Sequence, residues 1–192
     1  MLIRDTKAGY GIVTRFLHWG MALAIVAMFV LGLWMRTLDY YSPYYTLAPD
    51  IHRGVGILLL ILLVARFAWR LVNPKPDDSE LTRFEAISSN IVHWGFYPLL
   101  FALMISGYLI STSDGRSIDV FGLFSVPSVY AREGLEDQAG YVHWLLAYVT
   151  MAIATVHAIG AFKHHFADHS HILTRMWSGP SDEPSQPTEH KR

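Results

Sequence analysis

Four long apolar stretches dominate the chain, and each is bounded by charged or helix-ending residues. They cover about residues 16–35, 52–71, 87–111 and 139–162, and charged side chains are rare between their ends. The first, Phe16 to Met35, lies between Arg15 and Arg36. At about 1.5 Å per residue such a helix is roughly 30 Å long, the thickness of the hydrocarbon core of a bilayer. The pattern therefore predicts an all-α fold, an integral membrane bundle of four helices.

The sequence around these stretches predicts one membrane domain and a tail. The run Asn73-Pro74-Lys75-Pro76 ends the second stretch, because proline cannot continue a helix. We expect residues 1–177 to form the transmembrane domain, and the polar residues 178–192 to be disordered. A soluble bundle is disfavoured because its helices would show polar faces. A cleaved signal peptide is disfavoured because the first stretch is too long and no small-residue cleavage site follows it.

Composition and charge narrow the possible partners. Charged residues make up 16% of the 192 residues, and 15 Lys and Arg face 16 Asp and Glu, so the basic surface that a nucleic acid needs is not expected. The absence of cysteine excludes disulfides, thiolate-bound iron–sulfur clusters and covalently attached haem c. Eleven Lys and Arg fall on the side of both termini, against four on the opposite side: Arg36, Arg53, Arg116 and Arg132. This asymmetry predicts that both termini are cytoplasmic.

Histidines inside the apolar stretches carry the candidate chemistry, because ionisable residues are costly in a membrane. His143 and His157 are 14 residues apart. Fourteen steps of about 100° end about 40° short of four full turns, so both side chains lie on nearly the same helix face, about 21 Å apart along the axis. One face of the last helix can therefore hold two cofactors, one near each membrane surface.

Depth in the membrane pairs each of these residues with a histidine from another helix. His18 and His157 both lie toward the cytoplasmic side, whereas His52 and His143 both lie toward the outer side. Zinc prefers about four ligands, but haem b supplies four equatorial nitrogens itself and needs only two axial ones. We therefore expect two haems b, one held by His18 and His157 and the other by His52 and His143.

Several motifs, taken in order, resemble the bacterial cytochrome b561 family over residues 8–177. They are the run Tyr10 to Trp19 with His18-Trp19, His52 at the start of the second stretch, the spacing of His93 and Tyr97 with Gly107 beyond, the His143 and His157 spacing, and His164-His165-Phe166 followed by Asp168, Leu173 and Arg175-Met176. Members of that family are four-helix dihaem cytochromes of the bacterial inner membrane. The resemblance implies the same location and the same two ligand pairs.

The resemblance also implies a redox activity. The best-understood kind of member is a superoxide oxidase, which takes an electron from superoxide at the outer haem, passes it to the inner haem and reduces ubiquinone. We therefore expect an oxidoreductase in the lipid bilayer, with superoxide or another small electron donor and with ubiquinone as acceptor. His93 falls where the family has a histidine near the quinone end. It could ligate the inner haem, hold a haem propionate or line the quinone pocket, and we favour the pocket.

Three arginines and one loop could also take part. Arg53 follows the expected outer ligand, where the family pattern does not lead us to expect an arginine. It could steer a small anion such as superoxide or pair with a haem propionate, and we favour the propionate. Arg66 and Arg70 are expected to extend toward lipid headgroups, although one could contact an inner propionate. The apolar run 121–124, in the outer loop 114–138, could lie at the interface and cap the outer haem, or it could belong to a membrane-surface loop without a catalytic part.

Two other classes of function stay open. The first is a cytochrome b subunit that anchors a redox partner protein, as in membrane-bound hydrogenases, and passes its electrons to quinone. The short chain favours a stand-alone enzyme over such an anchor. The second is a transporter or structural bundle without redox chemistry, which purified protein without haem absorption would support.

Overall fold

Four long α-helices build the protein, as the computed structural model of residues 2–77 and 80–179 shows. They are α1 (Ile12–Met35), α2 (Leu47–Val72), α3 (Arg83–Thr112) and α4 (Leu135–Phe166). All four are long and apolar enough to cross a membrane. The predicted all-α, four-helix membrane fold is therefore confirmed. The tail predicted for residues 178–192 lies, from residue 180 onward, outside the described residues.

The surface of the bundle is apolar, the reverse of what a soluble protein shows. Phe16, Leu23 and Val156 are 76%, 74% and 67% exposed. Side chains of this kind fit surroundings of lipid, in which a helix needs no polar face and satisfies its backbone groups internally. Helices then associate through the side chains that face one another inside the bundle.

A small apolar core joins the first three helices. Met21, Leu59, Leu63 and Leu100 form this core and are each at most 7% exposed. Partly buried side chains such as Ile25 and Phe101 pack around them. The core lies midway along the bundle, between the ends where the candidate histidines lie.

A β-hairpin covers one end of the bundle, and we call this the hairpin end. Its strands are β1 (Ile118–Val120) and β2 (Phe124–Val126), which pair antiparallel. Phe121 and Gly122 have φ angles of 55° and 71°, in the left-handed region that a tight turn uses. The Asp119 carboxylate accepts a hydrogen bond from the Gly122 backbone N–H at 2.8 Å. The apolar run 121–124 thus belongs to a folded hairpin.

The hairpin packs on α2. Ile118 and Val120 are buried against Ile57 of that helix. The ring of Phe121 lies on Gly54, where an added Cβ would come within 2.7 Å of it. Because Gly54 lies two residues after His52, this contact fixes the hairpin next to a candidate ligand.

A short helix, α5 (Ile172–Trp177), crosses the other end, which we call the terminal end. Trp19 of α1 donates its indole N–H to the Met176 carbonyl at 3.0 Å, and its ring lies 5.4 Å from that of Trp177. Arg175 donates to the backbone carbonyl of Asp77 at 2.8 Å. The segment after α4 therefore connects the start of α1 to the link between α2 and α3.

An ion-pair cluster links α4 to the start of α3. Lys163 donates to Glu85 at 2.8 Å and to Asp168 at 2.9 Å, and His164 contacts the same Asp168 oxygen at 2.7 Å. The hydrogen bond from Lys163, and then the one from His164, lower the pKa of Asp168. A lowered pKa means that the stabilisation is present above the usual carboxyl pKa and is lost as pH falls through the lowered value. Asp168 is exposed, so this contribution is small.

The N-terminal segment is held on α1 by one buried carboxylate. Asp5 is 4% exposed. It accepts hydrogen bonds from the Gly11 backbone N–H at 2.8 Å and from the Thr14 hydroxyl at 2.9 Å. These bonds use a backbone donor and a side-chain donor at the start of the helix, where backbone N–H groups have no partner within the helix.

We predict that Asp5→Ala lowers the free energy of unfolding by about 1–3 kcal/mol, because two donors lose their buried acceptor. Asp39→Ala is the matched control, since Asp39 accepts one bond, from the Tyr41 backbone N–H, at an exposed site. The measurement is the thermal unfolding midpoint of each variant in the same detergent. Equal shifts for the two variants would contradict the prediction.

Candidate functional site

Two layers of residues cross the bundle, separated by the same interval on all four helices. On each helix the two members are 14 residues apart, which places them on nearly one face and about 21 Å apart along the axis. The hairpin-end layer consists of Gly32, His52, Gly107 and His143. The terminal-end layer consists of His18, Arg66, His93 and His157. The backbone therefore provides two equivalent levels with different side chains.

In the hairpin-end layer, two imidazoles face each other across the bundle. The ring centroids of His52 and His143 are 6.1 Å apart, and the ring planes are inclined by 76°. An added Cβ at Gly32 would lie 3.4 Å from Cε1 of His52, and one at Gly107 would lie 3.0 Å from Cε1 of His143. The two glycines of this layer therefore leave the space that the two rings occupy.

The hydrogen bonds of His143 fix which of its nitrogens is protonated. Its Nδ1 lies 2.9 Å from the Leu103 carbonyl oxygen and 3.2 Å from the Ser106 hydroxyl. Because a carbonyl only accepts, Nδ1 carries the hydrogen, and the lone pair of Nε2 is free to bind a metal. Histidines that ligate metals show this pattern. Nδ1 of His52 is buried and has no hydrogen-bond partner among residues 2–77 and 80–179.

A large cavity opens between these two imidazoles. Its volume is about 910 Å³, and its walls include all four residues of the hairpin-end layer. Pockets that bind cofactors typically have about 300–1,000 Å³. Two imidazoles that share one iron have ring centres about 6 Å apart, because each nitrogen–metal bond is about 2 Å long. Cavity, ring separation and the free Nε2 of His143 all fit a haem with two axial histidines.

The terminal-end layer brings three histidines together. The ring centroids of His18 and His157 are 6.3 Å apart, close to the separation in the other layer. Those of His93 and His157 are 5.1 Å apart, which is shorter than two rings need in order to share an iron. Nδ1 of His93 lies 3.3 Å from the Ser89 hydroxyl. By distance, His18 is therefore the better partner for His157.

Arg66 lies in the terminal-end layer and contacts His18. Its Nη2 is 3.2 Å from Nδ1 of His18, and its Nη1 is buried without a hydrogen-bond partner in the described part of the chain. A guanidinium only donates, so Nδ1 of His18 accepts here and Nε2 carries the hydrogen. His18 can bind a metal through Nε2 only after this hydrogen moves to Nδ1 and Arg66 turns aside. The Arg66 side chain is therefore directed into the bundle, and the expectation that it extends toward lipid headgroups is wrong.

Arg53 lies on the wall of the cavity, one residue after His52. Its guanidinium pairs with Asp50, one turn earlier on α2. Arg116, which also lines the cavity, pairs with Asp114. Two of the cations at this end therefore have carboxylate partners, and Arg53 has to share or leave Asp50 in order to bind another anion.

A third level, the middle layer, separates the two histidine layers. Its members lie seven residues from the histidines of their helices and are Ile25, Leu59, Leu100 and Thr150. Ile25, Leu59 and Thr150 line the inner part of the 910 Å³ cavity. Thr150 is 2% exposed, and its hydroxyl has no partner in the described residues. The middle layer thus closes the cavity toward the terminal end.

The layer positions of Gly32 and Arg66, and the part that the Leu103 carbonyl plays, were not predicted from the sequence. Both positions follow a candidate histidine by the same 14 residues that separate His143 from His157: Gly32 follows His18, and Arg66 follows His52. Counting this interval on every helix predicts both positions. The contact between His143 and Leu103 leaves no sequence signal, because any residue at position 103 offers the same carbonyl.

Comparison with known proteins identifies relatives over almost the whole chain. The sequence model of the family described as prokaryotic cytochrome b561 matches residues 9–179. Cytochrome b561 homolog 2 of Escherichia coli (strain K12) is 43% identical over 181 residues, which cover 92% of this chain and 95% of that protein. The probable superoxide oxidase CybB of Yersinia pestis is 29% identical over 162 residues, 83% of this chain and 90% of that protein.

We predict that Gly107→Val weakens haem binding about tenfold or more, because the new side chain displaces the ring of His143, which Gly107 contacts. Gly95→Val, on the same helix, is the control, since an added Cβ there meets no atom within 4 Å. Haem per chain is measured from the absorbance of purified protein at a series of haem concentrations. Equal losses in both variants would show that valine in α3, rather than displacement of His143, is responsible.

Proposed function

The chain belongs to the prokaryotic cytochrome b561 family, and from that premise we propose that it oxidises superoxide and reduces ubiquinone by means of two haems b. Family membership makes it a multi-pass protein of the bacterial inner membrane that transfers electrons and binds b-type haem. The substrates, the number of haems and the haem ligands go beyond family membership and are proposed here. The observation that carries it is the pair of facing imidazoles in each layer, 6.1 and 6.3 Å apart.

In this proposal His52 and His143 hold one haem, and His18 and His157 hold the other. Each haem, when bound, supplies a carrier for one electron. The Leu103 carbonyl orients His143 and keeps its Nε2 free, and Gly32 and Gly107 provide space for the rings. His18 needs the change of tautomer described above. The spacing of the layers would place the two haem sites about 21 Å apart along the bundle.

We assign the hairpin end to the outer side of the membrane and both termini to the cytoplasm. The distribution of Lys and Arg, eleven on the side of the termini and four on the other side, supports this orientation. The site of His52 and His143 then faces outward. The site of His18 and His157 faces the cytoplasm.

Superoxide is the proposed electron donor, and it reacts at the hairpin end. The relative named probable superoxide oxidase aligns with 90% of its length, which supports this assignment. Each superoxide loses one electron and leaves as dioxygen. The hairpin held on Gly54 by Phe121 lies beside the cavity, and in this proposal it limits access to small donors. Arg53, on the cavity wall, would hold a haem propionate in exchange for part of its contact with Asp50.

Ubiquinone is the proposed acceptor, at the terminal end. Two electrons and two protons convert one ubiquinone to ubiquinol, so two superoxide anions are consumed for each quinone. His93 borders this site: it lies next to His157 but too close to share an iron with it. Its Nδ1 is oriented by the Ser89 hydroxyl. The imidazole can therefore donate a hydrogen bond or a proton to a quinone oxygen.

We predict that the histidine variants separate the two half-reactions. His52→Ala or His143→Ala should remove one of two haems and abolish haem reduction by superoxide in rapid mixing. His18→Ala or His157→Ala should leave that rapid reduction in place and lower ubiquinone reduction at least a hundredfold, because electrons no longer reach the terminal end. Haem per chain, determined on each variant, shows which site is empty.

The control for this series is His93→Ala, which should retain two haems and lose only quinone reduction. Loss of a haem from His93→Ala and not from His18→Ala would contradict the ligand assignment. A wild-type protein with one haem, or one that superoxide does not reduce, would contradict the proposed function. Reduction by a partner protein alone would then favour an anchor subunit.

We predict that Arg53→Gln weakens retention of the hairpin-end haem, because a propionate loses its cationic partner. Asp50→Asn is the matched variant, since it frees Arg53 for the propionate and should retain the haem at least as well as wild type. The measurements are haem loss over time and the rate of reduction by superoxide at several salt concentrations. If Arg53→Gln keeps its haem and only the rate and its salt dependence fall, the arginine steers superoxide instead.

A further inference from the structure

A guanidinium lies inside the bundle at the level of the terminal-end histidines. Arg66 follows His52 by 14 residues on α2, so this helix offers a histidine at one layer and an arginine at the other. A charged side chain at such a position is expensive in a membrane and marks a functional site. Arg66 is half-buried, contacts His18 through Nη2, and leaves Nη1 buried without a hydrogen-bond partner among the described residues.

In each layer, one proposed ligand has a polar neighbour at its Nδ1, and this neighbour differs chemically between the two layers. At the hairpin end, the Leu103 carbonyl accepts a hydrogen bond from His143. An acceptor at this position makes the imidazole a stronger electron donor and stabilises oxidised iron. At the terminal end the neighbour is a cation, Arg66, beside His18. A positive charge there stabilises the reduced state, and arginine keeps its proton.

Both contacts would increase the same difference, that between the reduction potentials of the terminal-end and hairpin-end sites. With a haem in each layer, the carbonyl would lower the reduction potential at the hairpin end and the guanidinium would raise it at the terminal end. When His18 changes tautomer, Arg66 turns aside from it, but the charge stays near the terminal-end layer because the Cα of Arg66 lies on α2 at the level of His18 and His157.

We propose that Arg66 is a positioning residue whose charge makes the site of His18 and His157 the higher in reduction potential. This inference rests on the proposed function, since it requires a haem in each layer. The charge of Arg66 would favour the transfer of one electron from the hairpin-end site, which is oxidised, to the terminal-end site, which is reduced. It breaks no bond and moves no proton.

The test is an optical redox titration of the purified, haem-loaded full chain. In wild type we expect two potentials, of which Arg66→Gln lowers the higher and leaves the lower in place. The equilibrium between the two sites should shift at least tenfold toward the hairpin end, which corresponds to about 59 mV for one electron. Arg66→Lys, which keeps the charge, should stay close to wild type.

Arg70→Gln is the matched control, because it removes the same charge one helical turn farther along α2. It should shift the higher potential by less than Arg66→Gln does. Equal shifts from both variants, or an unchanged higher potential in Arg66→Gln, would overturn the inference. If Arg66→Gln does not retain the terminal-end haem, Arg66→Lys decides: an unchanged high potential supports the inference, and a lowered one overturns it.

These outcomes are distinct from a failure of the proposed function. A wild-type chain with a single haem would contradict the two-haem proposal and the inference together. Two haems with potentials that do not respond to position 66 would contradict the inference alone. Haem content, measured in the same samples, separates these cases.

Discussion

Polar groups inside a membrane bundle have to find their partners within the bundle, and this constraint determines the arrangement of the candidate site. Lipid offers no hydrogen bond, so each buried imidazole contacts another ring, a carbonyl, a hydroxyl or a guanidinium. His143 meets the Leu103 carbonyl, His93 meets the Ser89 hydroxyl and His18 meets Arg66. The chemical differences between the two layers follow from these partners more than from the histidines themselves.

The helices were predictable because a membrane requires long apolar stretches, and each predicted stretch lies inside one of the four helices. The helix ends were less predictable: α4 begins at Leu135, four residues before the apolar window, because its first turn carries Glu136 and Asp137 at the polar surface. The hairpin was missed because its strands have three residues each, too few for an alternating pattern to stand out. Its turn depends on the left-handed conformation of Phe121, which the residue type does not favour.

The pairing of histidines across helices was predictable from depth alone, because the periodicity of the helix fixes both level and face. The structure places His52 near His143 and His18 near His157, as that reasoning expected. The direction of each hydrogen bond was not predictable, since it depends on backbone carbonyls and on the path of a long side chain. For this reason the contact of Arg66 with His18, on which the proposed difference in reduction potential depends, was found only in the structure.

The middle layer has a consequence for energy conversion. Leu59, Leu100 and Ile25 provide about 10 Å of aliphatic side chain between the cavity and the terminal end, with Thr150 as the polar member of the layer. An electron can tunnel through such a barrier, whereas a hydrated proton or an oxygen anion has too few polar groups to follow it. Along the proposed route, each turnover would carry negative charge inward and take its protons from the cytoplasm. Detoxification would thereby add to the proton-motive force.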